Sequence, residues 1–294
     1  MSELPAYDQA WVYPGYDKPF REYWGDRFED IFVWFHPFFS VEGIDPMRDG
    51  YHASRFAKGV TAEKAYQSAV DASNSEVETL AEGSPSNKAE ATVLSGGTLI
   101  SSLDYPDLSN LGPQAIKLHS WSSVAKECGW SGLTNREICV GLMTSTGALH
   151  KEFARVDWAE TLITHCQKTG VFPPSAGDIK EPMFPAINDL MNAAGAQCWV
   201  HQPEFDIDPV RSANFGDLDE KEWGHRGGIY LLDPKVLITV DWDSHFTLVA
   251  GPHDLITPWV SRCSLDGFFA SPETRHGWWS QDIKQNQITA RTLT

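Results

Sequence analysis

A chain of 294 residues with 41% apolar content can bury a substantial core and does not have the composition of a disordered protein. Its 23 basic and 40 acidic side chains give a formal net charge of −17, which argues against binding to nucleic acid or anionic membrane and leaves a basic surface as the electrostatic target. Five cysteines without a C-x-x-C pair, no basic-then-apolar leader and no apolar run near the roughly 20 residues that cross a bilayer imply a reducing, cytoplasmic setting.

Residues 1–27, rich in Tyr, Trp, Pro and Gly, lack a helical period and predict an extended aromatic arm. Phe28 to Phe39 reads as a buried strand around Ile31–Phe35, stopped by His36-Pro37, with His36 a satisfied strand-end histidine. Thr61 is placed to cap a helix through about Ala72, residues 82–88 form an exposed loop, and Ala91 to Ser101 reads as one strand interrupted at Gly96-Gly97. That double glycine lacks the Lys-Ser/Thr sequel of a phosphate loop.

A helical middle follows. A short strand at Ile116–Leu118 leads to a helix over Trp121–Cys128 closed by Gly129. Thr134 and Glu137 make a capping box for a helix from Asn135 to about Met143. Asp157 and Glu160 make a second box, with Asp157 as cap, for a helix to Lys168 ended by Gly170. The paired prolines at 173 and 174 are a hard stop. A helix over Pro185–Ala194, a strand at Cys198–His201 and an acidic, solvated stretch from 201 to 222 come next.

The densest set of chemically able side chains lies between Gly228 and Ala270. Gly228–Leu232 is a strand, Asp233-Pro234 a turn, and Lys235 onward alternates as a half-buried strand that doubles back near Trp242–His245 into a run ending at Gly251-Pro252. Thr257-Pro258 reads as the cap and first position of a short helix, and Gly267 turns the chain into Phe268-Phe269. His276-Gly277-Trp278-Trp279 suits either a pocket mouth or the closing of a sheet edge, and 280–294 is a polar tail.

Asp241, Asp243 and His245 stand at i, i+2 and i+4, which on a straight strand would gather two carboxylates and an imidazole on one face as ligands for a divalent metal such as Mg²⁺, Mn²⁺ or Ca²⁺. The competing reading is turn chemistry at Asp243-Ser244 that breaks the pleat. A wider cluster would add His201, Glu204, Asp206 and Asp208, with His245, Glu204 or His276 moving protons. A G-x-S-x-G elbow, H-E-x-x-H, a Walker loop and G-x-G-x-x-G are absent from the sequence, and no residues suggest a nucleotide cofactor.

The stretch Trp121–Thr169, the run VDWDSHFTL and the later GFFASPETRHGWW together resemble a bacterial family known only as a domain of unknown function. The resemblance covers the last two thirds of the chain, leaves the first 60 residues out, and implies a bacterial cytoplasmic protein without assigning catalytic residues. The expected architecture is a single α+β domain over 1–294, mainly antiparallel sheet with a helical middle. The expected role is an acidic binding protein for a protein partner or small molecule, immunity-like or inhibitory. The alternative is an enzyme with a carboxylate/histidine, metal-assisted site. Nothing in the chain specifies an oligomeric state.

Overall fold

The computed structural model describes residues 13–45, 54–58, 90–94, 97–101, 108, 111, 113–130, 134–149, 153–195, 197–201, 210–214, 228–241 and 243–279. It is α+β, with predominantly antiparallel strand pairing, as the pattern of the sequence predicts. The chain divides into two compact units, one made of 1–36 with 175–294 and the other of 37–174. The helix expected at 61–72, the loop at 82–88 and the tail at 280–294 fall outside the described residues.

The first unit is built on a seven-stranded sheet. Its strands are β1 (Asp30–Phe35), β7 (Gln197–His201), β8 (Val210–Asn214), β9 (Gly228–Leu232), β10 (Lys235–Val240), β11 (Phe246–Gly251) and β12 (Gly267–Phe269), in the order β12-β1-β11-β10-β9-β7-β8. Every pairing is antiparallel. Strand β10 was expected to be half-buried, yet Val236 to Val240 are all buried. The reason is that both faces of the sheet are covered, so alternation in the sequence separates two apolar layers instead of core from water.

On one face, Val236, Ile238, Val249, Phe32 and Trp34 pack against Ile187, Leu190 and Met191 of helix α5 (Phe184–Ala194) and Ile256 and Trp259 of helix α6 (His253–Arg262). On the other, aromatic rings do the covering. Trp278 stacks on Phe35 at 5.5 Å and meets Phe246 and Phe268 edge-on, while Phe28 reaches Tyr230 and Trp24. Helix α1 (Phe20–Trp24) is held to the segment after β12 by Phe20 N–H donating to Thr274 O at 2.8 Å. Trp278 therefore belongs to the apolar layer and not to a pocket mouth.

The acidic stretch from 201 to 222 is not all loop, because Val210–Asn214 pairs with β7 as the edge strand β8. Helix α6 also begins earlier than expected. Thr257 is not its cap: the helix starts at His253 with Pro258 inside it, and Thr257 Oγ1 donates to Asp30 Oδ2 at 3.2 Å. Pro258 is the sixth of the ten residues, so its ring removes the interior backbone donor that would otherwise bond to Asp254 O. Gly267 is required by close approach. A Cβ there would lie 2.1 Å from Val33 O and 2.7 Å from the Phe32 ring. Gly267→Ala is expected to push β12 off β1 and to lower unfolding free energy by about 1–3 kcal/mol, read as a reduced urea midpoint with the m-value retained.

The second unit carries the helical middle. Strand β2 (Phe38–Val41) pairs with β6 (Ile116–His119), and β3 (Ser54–Lys58), β4 (Glu90–Leu94) and β5 (Gly97–Ser101) form a separate sheet in the order β3-β5-β4. The run read as one strand over Ala91–Ser101 is thus two, antiparallel, with Leu94 paired to Gly97. Helices α2 (Trp121–Glu127), α3 (Thr134–Ser145) and α4 (Val156–Thr169) follow, α3 passing beyond the expected Met143. Ile138, Cys139 and Leu142 of α3 and Leu162, Ile163 and Cys166 of α4 are buried, and a Cβ at Gly141 would touch Leu162 Cδ2 at 3.4 Å, so the two helices pass closely there.

Asp157 is not the cap of α4. The helix starts one residue earlier, and both Asp157 oxygens are taken by the Arg155 guanidinium at 2.9 and 2.6 Å, which holds that carboxyl below its ordinary range. Gly170 ends the helix in the left-handed region at φ 71°, as expected. Beyond it, Phe172 exchanges backbone hydrogen bonds with Phe39, and their rings stack at 5.0 Å.

Candidate functional site

The polar side chains singled out in the sequence collect at one end of the seven-stranded sheet, where β1 stops at Phe35 and β10 turns into β11. The turn breaks the pleat. Strand β10 ends at Val240, Ser244 N–H donates to Asp241 O at 3.1 Å, and β11 begins at Phe246. The i, i+2, i+4 spacing of Asp241, Asp243 and His245 therefore does not place them on one strand face. Among the described residues no three or more His, Cys, Asp or Glu side chains are gathered as metal ligands.

Instead the turn sends its side chains two ways. Phe246 and Thr247 are adjacent in β11 and face opposite sides of the sheet. On the Phe246 side, Asp241 Oδ2 accepts a hydrogen bond from Tyr16 Oη at 2.6 Å and lies 3.8 Å from His276 Nδ1. The Tyr13 hydroxyl is 2.9 Å from the same His276 nitrogen, and the imidazole lies over Phe246 with ring centroids 5.6 Å apart. Two tyrosines of the N-terminal arm thus join Asp241 and His276 in one cluster. Burial lowers the His276 pKa to about 4 against the opposing pull of Asp241. Burial, the hydrogen bond to Asp241 and the charges of Asp241 and Asp243 all push the Tyr16 phenol up.

On the Thr247 side, two buried imidazoles converge on one carbonyl. His36 Nδ1 is 2.9 Å and His245 Nδ1 3.1 Å from Ser175 O, so both rings donate from Nδ1 to a carbonyl with two lone pairs. His36 Nε2 then accepts from Thr247 Oγ1 at 2.8 Å, and Ser175 Oγ donates to Asp178 O at 2.9 Å. Burial lowers the His36 pKa to about 4 in spite of the Ser175 bond and the Asp178 charge. His36 is the satisfied strand-end histidine that the sequence predicts.

Of the expected site residues, Asp241 and His276 come together, His245 is turned to the opposite side of the sheet, Asp243 stands exposed on the turn, and Glu204, Asp206 and Asp208 lie outside the described residues. Tyr13, Tyr16 and Ser175 were not anticipated. The Tyr-Pro-Gly-Tyr run at 13–16 marks a turn with two rings, but its partner lies more than 200 residues away and leaves no local signal.

The comparisons with known proteins add no assigned function. A chain from Bacillus subtilis (strain 168) named "Uncharacterized protein YwbB" is 38% identical over 81 residues, which is 27% of this chain and 34% of that protein, so the match spans about a third of the relative's length. No solved structure matches. The family profile described as "Protein of unknown function (DUF2711)" matches residues 103–280, a span that holds Ser175, Asp241, His245 and His276 but not Tyr13, Tyr16 or His36. Covering more than half of the sequence and the expected last two thirds, that match bears out the resemblance, and the chain belongs to this family.

Proposed function

We propose that this protein binds a basic macromolecular partner, a protein, through the acidic turn at Asp241 and Asp243, with an immunity-like or inhibitory role in the cytoplasm. The observation that carries the reading is the state of the groups around that turn. A general acid or base works best with a pKa near the operating pH. His276 is held near 4, and the Tyr16 phenol is pushed the other way. These two groups are thus fixed in charge near neutrality, which suits recognition better than proton transfer. The exposed Asp243 and a net charge of −17 favour steering toward a positive surface. Five free cysteines are compatible with a reducing compartment, and among the described residues no helix is long and apolar enough to cross a membrane.

The test is in-cell crosslinking followed by recovery of the tagged chain, with wild type and the Asp241→Asn/Asp243→Asn pair compared. A stoichiometric basic protein, released as salt is raised and lost in the double variant, is the expected result. A chain recovered alone that hydrolyses a panel of small esters and phosphates, with turnover abolished by Asp241→Asn, would replace this reading with the enzyme.

A further inference from the structure

Outside that site, the β2–β6 ribbon of the second unit brings a hydroxyl and an imidazole into contact. The register pairs Phe38 with His119 and Ser40 with Lys117, so Ser40 and His119 are diagonal neighbours on one face. Ser40 Oγ lies 2.9 Å from His119 Nε2. Both residues are half-buried, which leaves the pair reachable from solvent. Glu127 and His165 stand close by, joined through Oε2 and Nε2 at 3.2 Å. Burial, with the Lys117 charge, lowers the His119 pKa, and Glu127 opposes that shift. A neutral imidazole beside a hydroxyl is what general-base activation needs, and a nearby carboxylate stabilises the imidazolium that forms.

We propose that Ser40 and His119 form a nucleophile–base pair that hydrolyses an activated carboxylic ester, an activity separate from the binding role above. Ser40 Oγ attacks the ester carbonyl carbon while His119 Nε2 takes the hydroxyl proton. The carbon–oxygen bond to the leaving alkoxide then breaks, and the alkoxide receives that proton from His119 and departs as the alcohol. Water attacks the acyl-serine with His119 again as base, which releases the carboxylic acid and restores Ser40. Lys117, directly across the ribbon from Ser40, supplies a cation for the oxyanion of each tetrahedral intermediate.

The experiment uses the full chain with a fluorophosphonate probe and with p-nitrophenyl acetate, the adduct being located by peptide mass mapping. We expect a single adduct on Ser40 and a p-nitrophenol burst. Ser40→Ala abolishes both, and His119→Gln slows labelling about 100-fold or more with the circular dichroism spectrum unchanged. If the folded wild-type chain is labelled elsewhere or no faster than free serine, the hydroxyl is only a structural acceptor for a protonated Nε2 and the proposal falls. Labelling of folded His119→Gln at the wild-type rate would also overturn it.

Discussion

The urea midpoint is expected to fall steeply as pH drops from about 6.5 to 4 and then to level off as far as the histidines are concerned. His36 and His276 are buried and neutral, with pKa values lowered from 6.5 to about 4. Over that interval the unfolded chain binds protons that the folded chain refuses, so stability rises with pH. The contribution is complete above the unfolded value and is lost as pH falls toward the folded one. Each histidine is worth about 3 kcal/mol across the window. Carboxylates with lowered pKa values, such as Asp157 and Asp189, act in a separate window below their unfolded value of 3.8. His36→Asn keeps a donor and an acceptor in place of the ring, costs some stability at neutral pH, and should remove about half of the dependence. A midpoint flat from 6.5 to 4 in the wild type would show that these rings are not held neutral.

Trp259→Ala is expected to cost about 3–5 kcal/mol, a large fraction of the stability of an ordinary domain. The indole is fully buried between α6 and the sheet, edge-on to Trp34 at 5.4 Å and to Phe32 at 6.5 Å. Its Nε1–H donates to Ala186 O at 2.8 Å and so ties α6 to α5. Alanine leaves a cavity and withdraws that donor. Trp259→Phe separates the two effects: it keeps most of the packing, loses the hydrogen bond, and should cost less than the alanine variant by about 2 kcal/mol. Equal losses in denaturant unfolding would mean that the tie between helices, and not the filled volume, sets the effect.

What could be read from the residues was mostly local. Ile31–Phe35 showed itself as a buried strand because five consecutive large apolar side chains have no other home. The hairpin at 235–250 followed from alternation and turn chemistry, and Gly170 from the rule that a left-handed residue ends a helix. The misplaced features were those decided at a distance. Thr257 looks like a cap until Asp30 is known to stand beside it, and Asp157 until the Arg155 guanidinium covers both its oxygens. The half-buried reading of β10 failed because nothing within the strand reveals that the rings of Trp24, Phe28, Phe35 and Trp278 line the second face of the sheet. The site itself was half legible. Asp241 and His276 drew attention as chemical residues, but the spacing argument assumed a straight pleat through Ser244, and the tyrosines that complete the cluster come from the far end of the chain.

That long-range closure bears on how the protein is made. Strand β1 sits between β11 and β12, so its backbone donors and acceptors wait for partners encoded on the order of 200 residues later. At ordinary ribosomal speeds the DIFVWF segment leaves the exit tunnel some tens of seconds before its neighbours exist. During that interval a nascent chain displays an apolar strand of high β-propensity, a natural client for holdase chaperones and a seed for aggregation when synthesis stalls.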